Sequence, residues 1–156
     1  MRALHVYADT SVFGGIVDDE FAKVTNQFFR EVRLGRFSLC VSALVQTELR
    51  GAPQPVKAMF EDMLSWTTVA PISDEALDLQ EAYLKAGILT PRWADDALHV
   101  AMATVADCSL IVSWNFRHIV HYQKIPQYNA VNASFGYRPL AIYSPLEVLH
   151  YEEESG

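Results

Sequence analysis

Short apolar runs alternate along the chain with longer stretches in which apolar residues recur every three or four positions. That alternation predicts strand–helix units around a mostly parallel sheet. Residues 3–8, ALHVYA, predict a buried strand that stops at Asp9, with Thr10 and Ser11 placed to cap a short helix and Gly14 and Gly15 in the turn after it. From Asp18 to Leu34, Phe21, Val24, Phe28 and Val32 form one apolar helical face, which ends at Gly35. A second strand, FSLCVS, runs into the helix SALVQTEL, capped by Ser42 and ending before Pro53; Pro55 opens a further helix to about Trp66.

Beyond the short run TTVAPI, Ser73 with Asp74 and Glu75 starts a helix that closes at Gly87. Thr90 and Pro91 then start an alanine-rich helix to about Asp107, whose small interior residues imply close packing. SLIVS at 109–113 predicts the next strand. Residues 121–139 lack clear periodicity and predict a long irregular segment, followed by LAIYS and a turn around Pro145. The elements add up to a three-layer α/β/α sandwich with a central, mostly parallel sheet. They form a single domain over 1–150 and an acidic tail, YEEESG, over 151–156.

Composition supports one compact core: 156 residues, 51% hydrophobic and 12% aromatic, suffice to bury roughly 70% of the unfolded chain's surface without staples. The net charge of −7 argues against binding nucleic acid or anionic membranes by general attraction, though not against phosphate chemistry bridged by a metal. No apolar run approaches a membrane span, and the amino-terminal segment is too short in its apolar part for a signal peptide, so the expected location is the cytoplasm. Cys40 and Cys108 lack metal-finger spacing and read as reduced core residues; the Asn132-Ala133-Ser134 glycosylation pattern would then never be used.

Three carboxylates fall where elements begin or end: Asp9 after the first strand, Glu48 in the helix after the second, and Asp96 near the start of the alanine-rich helix. In a parallel sheet these positions share one edge, and the strand SLIVSW delivers Asn115 to the same edge. Converging carboxylates repel, so such a cluster implies a divalent cation or raised pKa values, and oxygen ligands favour Mg²⁺ or Mn²⁺ over Zn²⁺. Taken singly, the same residues also read as a helix cap, a solvated helix residue and a charge that compensates a helix dipole. Spacing alone leaves both readings open.

The quoted segments resemble the PIN-domain ribonucleases, including the VapC-like toxins of toxin–antitoxin pairs. VYADTSVFGG looks like that family's opening strand, TEL carries its second acid, DDALHVAMA resembles its Asp-Ala helix, and IVSWNF looks like its closing signature. SWNFRHI, YNAVN, GYRPLAI and SPLEVL extend the likeness over almost the whole chain. The resemblance implies a catalytic set of Asp9, Glu48, Asp96 and Asn115, with Asp9, Glu48 and Asp96 as metal ligands for Mg²⁺ or Mn²⁺. It selects Asp96 over Asp95, which becomes a helper or a helix-start charge, since adjacent helical residues point about 100° apart. At Asn115 many relatives carry an aspartate, so a second metal is in doubt.

The activity implied is metal-dependent endoribonucleolytic cleavage of RNA, with a small antitoxin and a homodimer as the implied partners. A weakened PIN-like module that only binds protein or RNA is the alternative. A metal-dependent phosphatase of another fold explains Asp9, yet position 11 is serine rather than the aspartate such enzymes carry. Residues 108–146 hold three basic and no acidic residues, Arg117, Lys124 and Arg138, among Trp114, Phe116, Tyr122, Tyr128, Phe135 and Tyr137. That interleaving suits RNA stacking, or else loop packing. Arg30, Arg33 and Arg36 read as a solvated helix end. His118 and His121 lack the third ligand a zinc site needs, and His99, three residues beyond Asp96, is a candidate partner for it.

Overall fold

The computed structural model describes residues 3–149; Met1, Arg2, His150 and the acidic tail 151–156 lie outside the described residues. Five strands, β1 Leu4–Ala8, β2 Phe37–Ser42, β3 Thr67–Ala70, β4 Leu110–Val112 and β5 Ala141–Tyr143, form one sheet in the order β3-β2-β1-β4-β5. All four pairings are parallel, with Val6 opposite both Leu39 and Leu110. β1 is therefore the central strand. Its neighbours diverge to either side, and such a reversal opens a crevice at the carboxyl ends of the strands.

Two cores, one on each face, make the three layers. Tyr7 and Ile111 point to the face covered by α5 Asp74–Lys85, α6 Ala94–Val105 and α7 Ile125–Ser134. Val6, Ala8 and Val112 point to the other, covered by α1 Thr10–Gly14, α2 Ala22–Arg33, α4 Gln54–Met63 and the helical residues 145–149. The alternation of side chains along β1 is the direct cause. The short α3 Ala43–Glu48 sends Leu44 into the first core and Val45 into the second, so it straddles the sheet edge.

Several helix ends follow the expected chemistry. Gly35 after α2 and Gly87 after α5 adopt φ of +83° and +77°, where a side chain would be strained. Ser73 caps α5 by accepting the Ala76 N–H at 3.2 Å. Two expectations fail for physical reasons. Ser42 does not cap α3, because its hydroxyl is bonded to Tyr7 inside the core. The irregular segment expected over 121–139 contains α7, whose buried positions Tyr128 and Asn132 include a polar residue. Asn132 is satisfied by the Tyr83 hydroxyl and by Thr104, so a helix forms without an apolar stripe to announce it.

Candidate active site

The chain places Asp9 one residue beyond β1, at the crevice. Its carboxylate is buried, and both oxygens are held: Ser11 Oγ donates to Oδ1 at 2.6 Å and Ser113 Oγ to Oδ2 at 2.7 Å. The two hydroxyls are locked in turn by backbone donors, Trp114 N–H to Ser11 at 2.8 Å and Asn115 N–H to Ser113 at 2.9 Å. The residues just past β4 thus fix the acid at the end of β1. Burial raises the Asp9 pKa and the nearby Asp96 charge adds to it, while His99 and the two serines oppose. Among the described residues no lysine or arginine forms an ion pair with Asp9.

Glu48 ends α3. Its Oε1 accepts from Thr10 Oγ1 and from His99 Nε2–H, each at 2.6 Å. Burial alone would raise the Glu48 pKa, but the His99 hydrogen bond and charge, with Thr10, prevail and lower it. Behind the imidazole, Nδ1 meets the Tyr7 hydroxyl at 2.8 Å, and that hydroxyl reaches Ser42 Oγ at 2.8 Å. Ser42, Tyr7 and His99 are all buried, so a polar string runs from the core to the Glu48 carboxylate. Burial keeps the Tyr7 pKa well above its ordinary value, so the phenol holds its proton. Tyr7→Phe leaves a buried nitrogen and a buried hydroxyl short of partners. It is expected to cost about 1–3 kcal/mol in urea unfolding; an unchanged midpoint would show that the string is not needed.

Asp96 lies in the first turn of α6, with Oδ2 2.7 Å from His118 Nδ1. Asp95 is exposed, on a different side of the helix. His99 therefore serves Glu48 rather than Asp96, a correction to the helical-spacing expectation: a residue three positions on shares the helix side, but α3 approaches it more closely. His118 takes that place from a loop no spacing rule connects to α6. The H-x-x-H pair is divided, since His121 stacks on Tyr122 while His118 holds Asp96. Asn115 is brought to the same edge, where its carboxamide oxygen accepts the backbone N–H of Arg117 at 3.2 Å and of His118 at 2.9 Å. Thr10 and Ser11 bond carboxylates rather than cap α1, which has no side-chain cap.

The donor set is entirely oxygen, suited to a hard cation such as Mg²⁺ or Mn²⁺. Glu48 Oε2 and Asp96 Oδ1 accept no hydrogen bond among the described residues. As the side chains are arranged, no three His, Cys, Asp or Glu among the described residues group closely enough to hold a metal ion. The chemistry of the donors fits the cation, with Asp9 as the buried, pre-oriented member. Cys40 and Cys108 are free and buried in the first core, away from this set.

Solved structures carry the same arrangement of strands and helices. VapBC2 from Rickettsia felis, bound to a DNA fragment from its promoter, aligns over 89% of this chain and 97% of its own, with TM-score 0.57 and 13% identity. The chain has the VapC-type PIN-domain fold. VapC20 of Mycobacterium tuberculosis, a toxin that cleaves the sarcin–ricin loop, aligns over 72% of this chain and 92% of its own, with TM-score 0.51 and 14% identity. No family model and no curated protein matches the sequence. At such identities the likeness lies in the PIN fold alone. In this chain Asp9 follows β1, Glu48 ends α3, Asp96 lies in the first turn of α6 and Asn115 follows β4.

The basic and aromatic stretch of the PIN fold's last third divides sharply. Trp114 is core-like: its indole N–H donates to Thr25 at 2.9 Å and its ring stacks on Phe21 at 4.0 Å. Tyr128 is buried, and its hydroxyl donates to His118 O. Arg138 pairs with Asp107, and Lys124 spends one N–H on Ile88 O. In the smaller patch Arg36 pairs with Glu31. Phe116, Tyr122 and Phe135 remain exposed. No helix among the described residues is long and apolar enough to cross a membrane.

Proposed function

We propose that the chain is a Mg²⁺- or Mn²⁺-dependent endoribonuclease, the toxin of a toxin–antitoxin pair, with Asp9, Glu48, Asp96 and Asn115 at its active site. The observation that carries this reading is Asp9: a buried carboxylate at the crevice of a PIN fold, clamped by two serines and unpaired with any lysine or arginine among the described residues. A buried anion without a cationic side chain is costly unless a cation joins it. Asp9, Glu48 and Asp96 would hold the ion. When bound, it would activate water and neutralise phosphate charge.

The chain's own residues do the preparing. Ser11 and Ser113 aim Asp9, Thr10 and His99 aim Glu48, and His118 aims Asp96, leaving one oxygen each on Glu48 and Asp96 for ligation. Asn115 spends its carboxamide oxygen on the backbone of residues 117 and 118, so its part is to shape the turn that presents His118, with its amide NH₂ left to meet a substrate oxygen. The fold shared with VapBC2 supports a small antitoxin as partner, and a homodimer is proposed with it.

Purified protein incubated with single-stranded and hairpin RNA is expected to cut in Mg²⁺ or Mn²⁺ and to stop in EDTA. Asp96→Asn is expected to lower the rate about 100-fold or more, since disturbing even a ligand's supporting partner costs 10–100-fold. Undiminished cutting in EDTA would remove the metal from the reading. The engaged oxygen of Asn115 favours a second reading, a PIN-fold module that binds without cutting. Failure to cut in either metal, with no saturable Mn²⁺ binding by calorimetry, would select it.

A further inference from the structure

Two arginines of this chain stand over one indole beside the acidic crevice. The guanidinium carbon of Arg92 lies 4.9 Å from the Trp93 ring centroid and that of Arg117 lies 5.6 Å from it. The two come from different elements, Arg92 from the turn Pro91–Trp93 that opens α6 and Arg117 from the loop after β4. Both side chains are exposed, and among the described residues neither forms an ion pair or a side-chain hydrogen bond. The other two cations of the stretch over 108–146 each have a protein partner: Arg138 has Asp107 and Lys124 has Ile88 O.

Two like charges gathered on one ring repel, and the cation–π attraction of each, about 0.5–1 kcal/mol at an exposed site, only partly offsets that. Both guanidiniums lie within 5.6 Å of one ring centroid, so an anion at the rim of that ring would be attracted by both. Arginine forks match a phosphodiester's oxygens in geometry and charge. The platform is also tied to the acids: Trp93 packs on His118 with centroids 4.5 Å apart, and His118 is the group that holds Asp96. Phe116, next to Arg117, packs against Trp114 at 6.1 Å and Phe21 at 6.2 Å, and with 47% of it exposed it leaves ring surface for a base.

We infer that Arg92 and Arg117, mounted on Trp93, form a subsite for a phosphate of a single RNA strand flanking the one that is cut, with Phe116 stacking a neighbouring base. The inference deepens the proposed nuclease reading and rests on it for the identity of the ligand. The site explains how a chain of net charge −7 engages RNA: the strand is held by two unpaired guanidiniums rather than by a general field.

The test is fluorescence anisotropy with a fluorescein-labelled 12-nucleotide single-stranded RNA in Mg²⁺, using the Asp9→Asn protein so that the probe stays intact. It is repeated with Arg92→Ala and Arg117→Ala added singly and together. Each arginine removed should weaken binding about tenfold, the lower end for a hydrogen bond to a charged group. The slope of log affinity against log salt should fall by about 0.7 per arginine, the single-strand value per phosphate contact. Arg92→Lys with Arg117→Lys should restore the slope but not the affinity, because lysine keeps the charge and loses the fork.

Wild-type affinity and slope in the double alanine variant would overturn the subsite, and so would displacement of the RNA by poly-glutamate as readily as by unlabelled RNA. In cleavage by the otherwise wild-type enzyme, the double variant should raise KM and leave kcat within about threefold, as expected for removal of uniform binding. A chain that binds RNA through these arginines and cuts none would overturn the nuclease reading and leave the subsite standing. A chain that cuts RNA with arginine-independent KM would do the reverse.

Discussion

Asp9→Asn is expected to abolish RNA cleavage and, measured in EDTA at neutral pH, to raise the melting temperature. The first effect follows from removing the buried charge that the two serines present at the crevice, and a loss of about 100-fold or more is expected from a change at a ligand itself. The second follows from burial, which raises the Asp9 pKa in the fold above its unfolded value. Such a group favours folding fully at acid pH, below the unfolded carboxylate pKa, and that contribution is lost as pH rises through the folded pKa. Above its raised folded pKa the charge on Asp9 is therefore a cost, which asparagine removes while keeping the size of the side chain.

Thermal unfolding from pH 3 to pH 8 checks the sign. The variant's advantage should be small at the acid end and grow through the range above it. A variant less stable than wild type at pH 8 would mean that the serine hydrogen bonds outweigh the buried charge. Cleavage at the wild-type rate would take Asp9 out of the active site altogether. Adding Mg²⁺ should raise the wild-type melting temperature more than that of Asp9→Asn, because an ion bound only by the fold stabilises it by mass action.

Gly15→Ala is expected to damage both stability and activity, although φ of −60° and ψ of −23° at Gly15 suit any residue. The obstacle is space. A Cβ built there would lie 2.5 Å from Thr25 Oγ1 and 2.8 Å from Trp114 Nε1, two buried atoms hydrogen-bonded to one another at 2.9 Å. The methyl must separate them, and overpacking of this kind costs about 1–3 kcal/mol. At the usual sensitivity for a domain of this size, a loss near the middle of that range lowers the melting temperature by about 4–8 °C.

The damage should reach the acids, because the backbone N–H of Trp114 holds Ser11 and Ser11 holds Asp9. Gly14→Ala is the matched control. Nothing lies within 4 Å of a Cβ at Gly14, so that variant should be neutral or slightly more stable. Equal melting temperatures for the two variants would refute the packing argument, and wild-type cleavage by Gly15→Ala would refute the path from Trp114 to Asp9.

Much of the architecture is legible in the chain itself. The strand ALHVYA stops at Asp9 because the next residues are polar, and its alternation sends Val6 and Ala8 to one core and Tyr7 to the other. Start and stop signals worked where they act locally, as with Ser73 at the start of α5 and Gly35 and Gly87 after α2 and α5. Where the reading failed, the deciding partner was distant in sequence. The hydroxyl of Ser42 was expected at a helix start and is instead 2.8 Å from a tyrosine 35 positions earlier. The helix at Ile125–Ser134 carries Asn132 on its buried side, satisfied by Tyr83 and Thr104, so hydrophobic periodicity could not reveal it.

The same division runs through the site. Sequence alone makes Asp9, Glu48, Asp96 and Asn115 candidates for one edge, because a parallel sheet sends every strand end and following helix start to the same side. The choice of partner for each acid came only with the tertiary structure. Ser113 reaches Asp9 across 104 positions, His99 reaches Glu48 across 51 and His118 reaches Asp96 across 22. Sequence likewise marks a basic and aromatic stretch, but which cations are paired was decided by folding: Asp107 pairs with Arg138, while Arg117, gathered with Arg92 on Trp93, forms no ion pair among the described residues. Local chemistry specifies where each element begins and ends. Charge pairing depends on distances of a few ångströms between elements, and those exist only once the sheet has assembled.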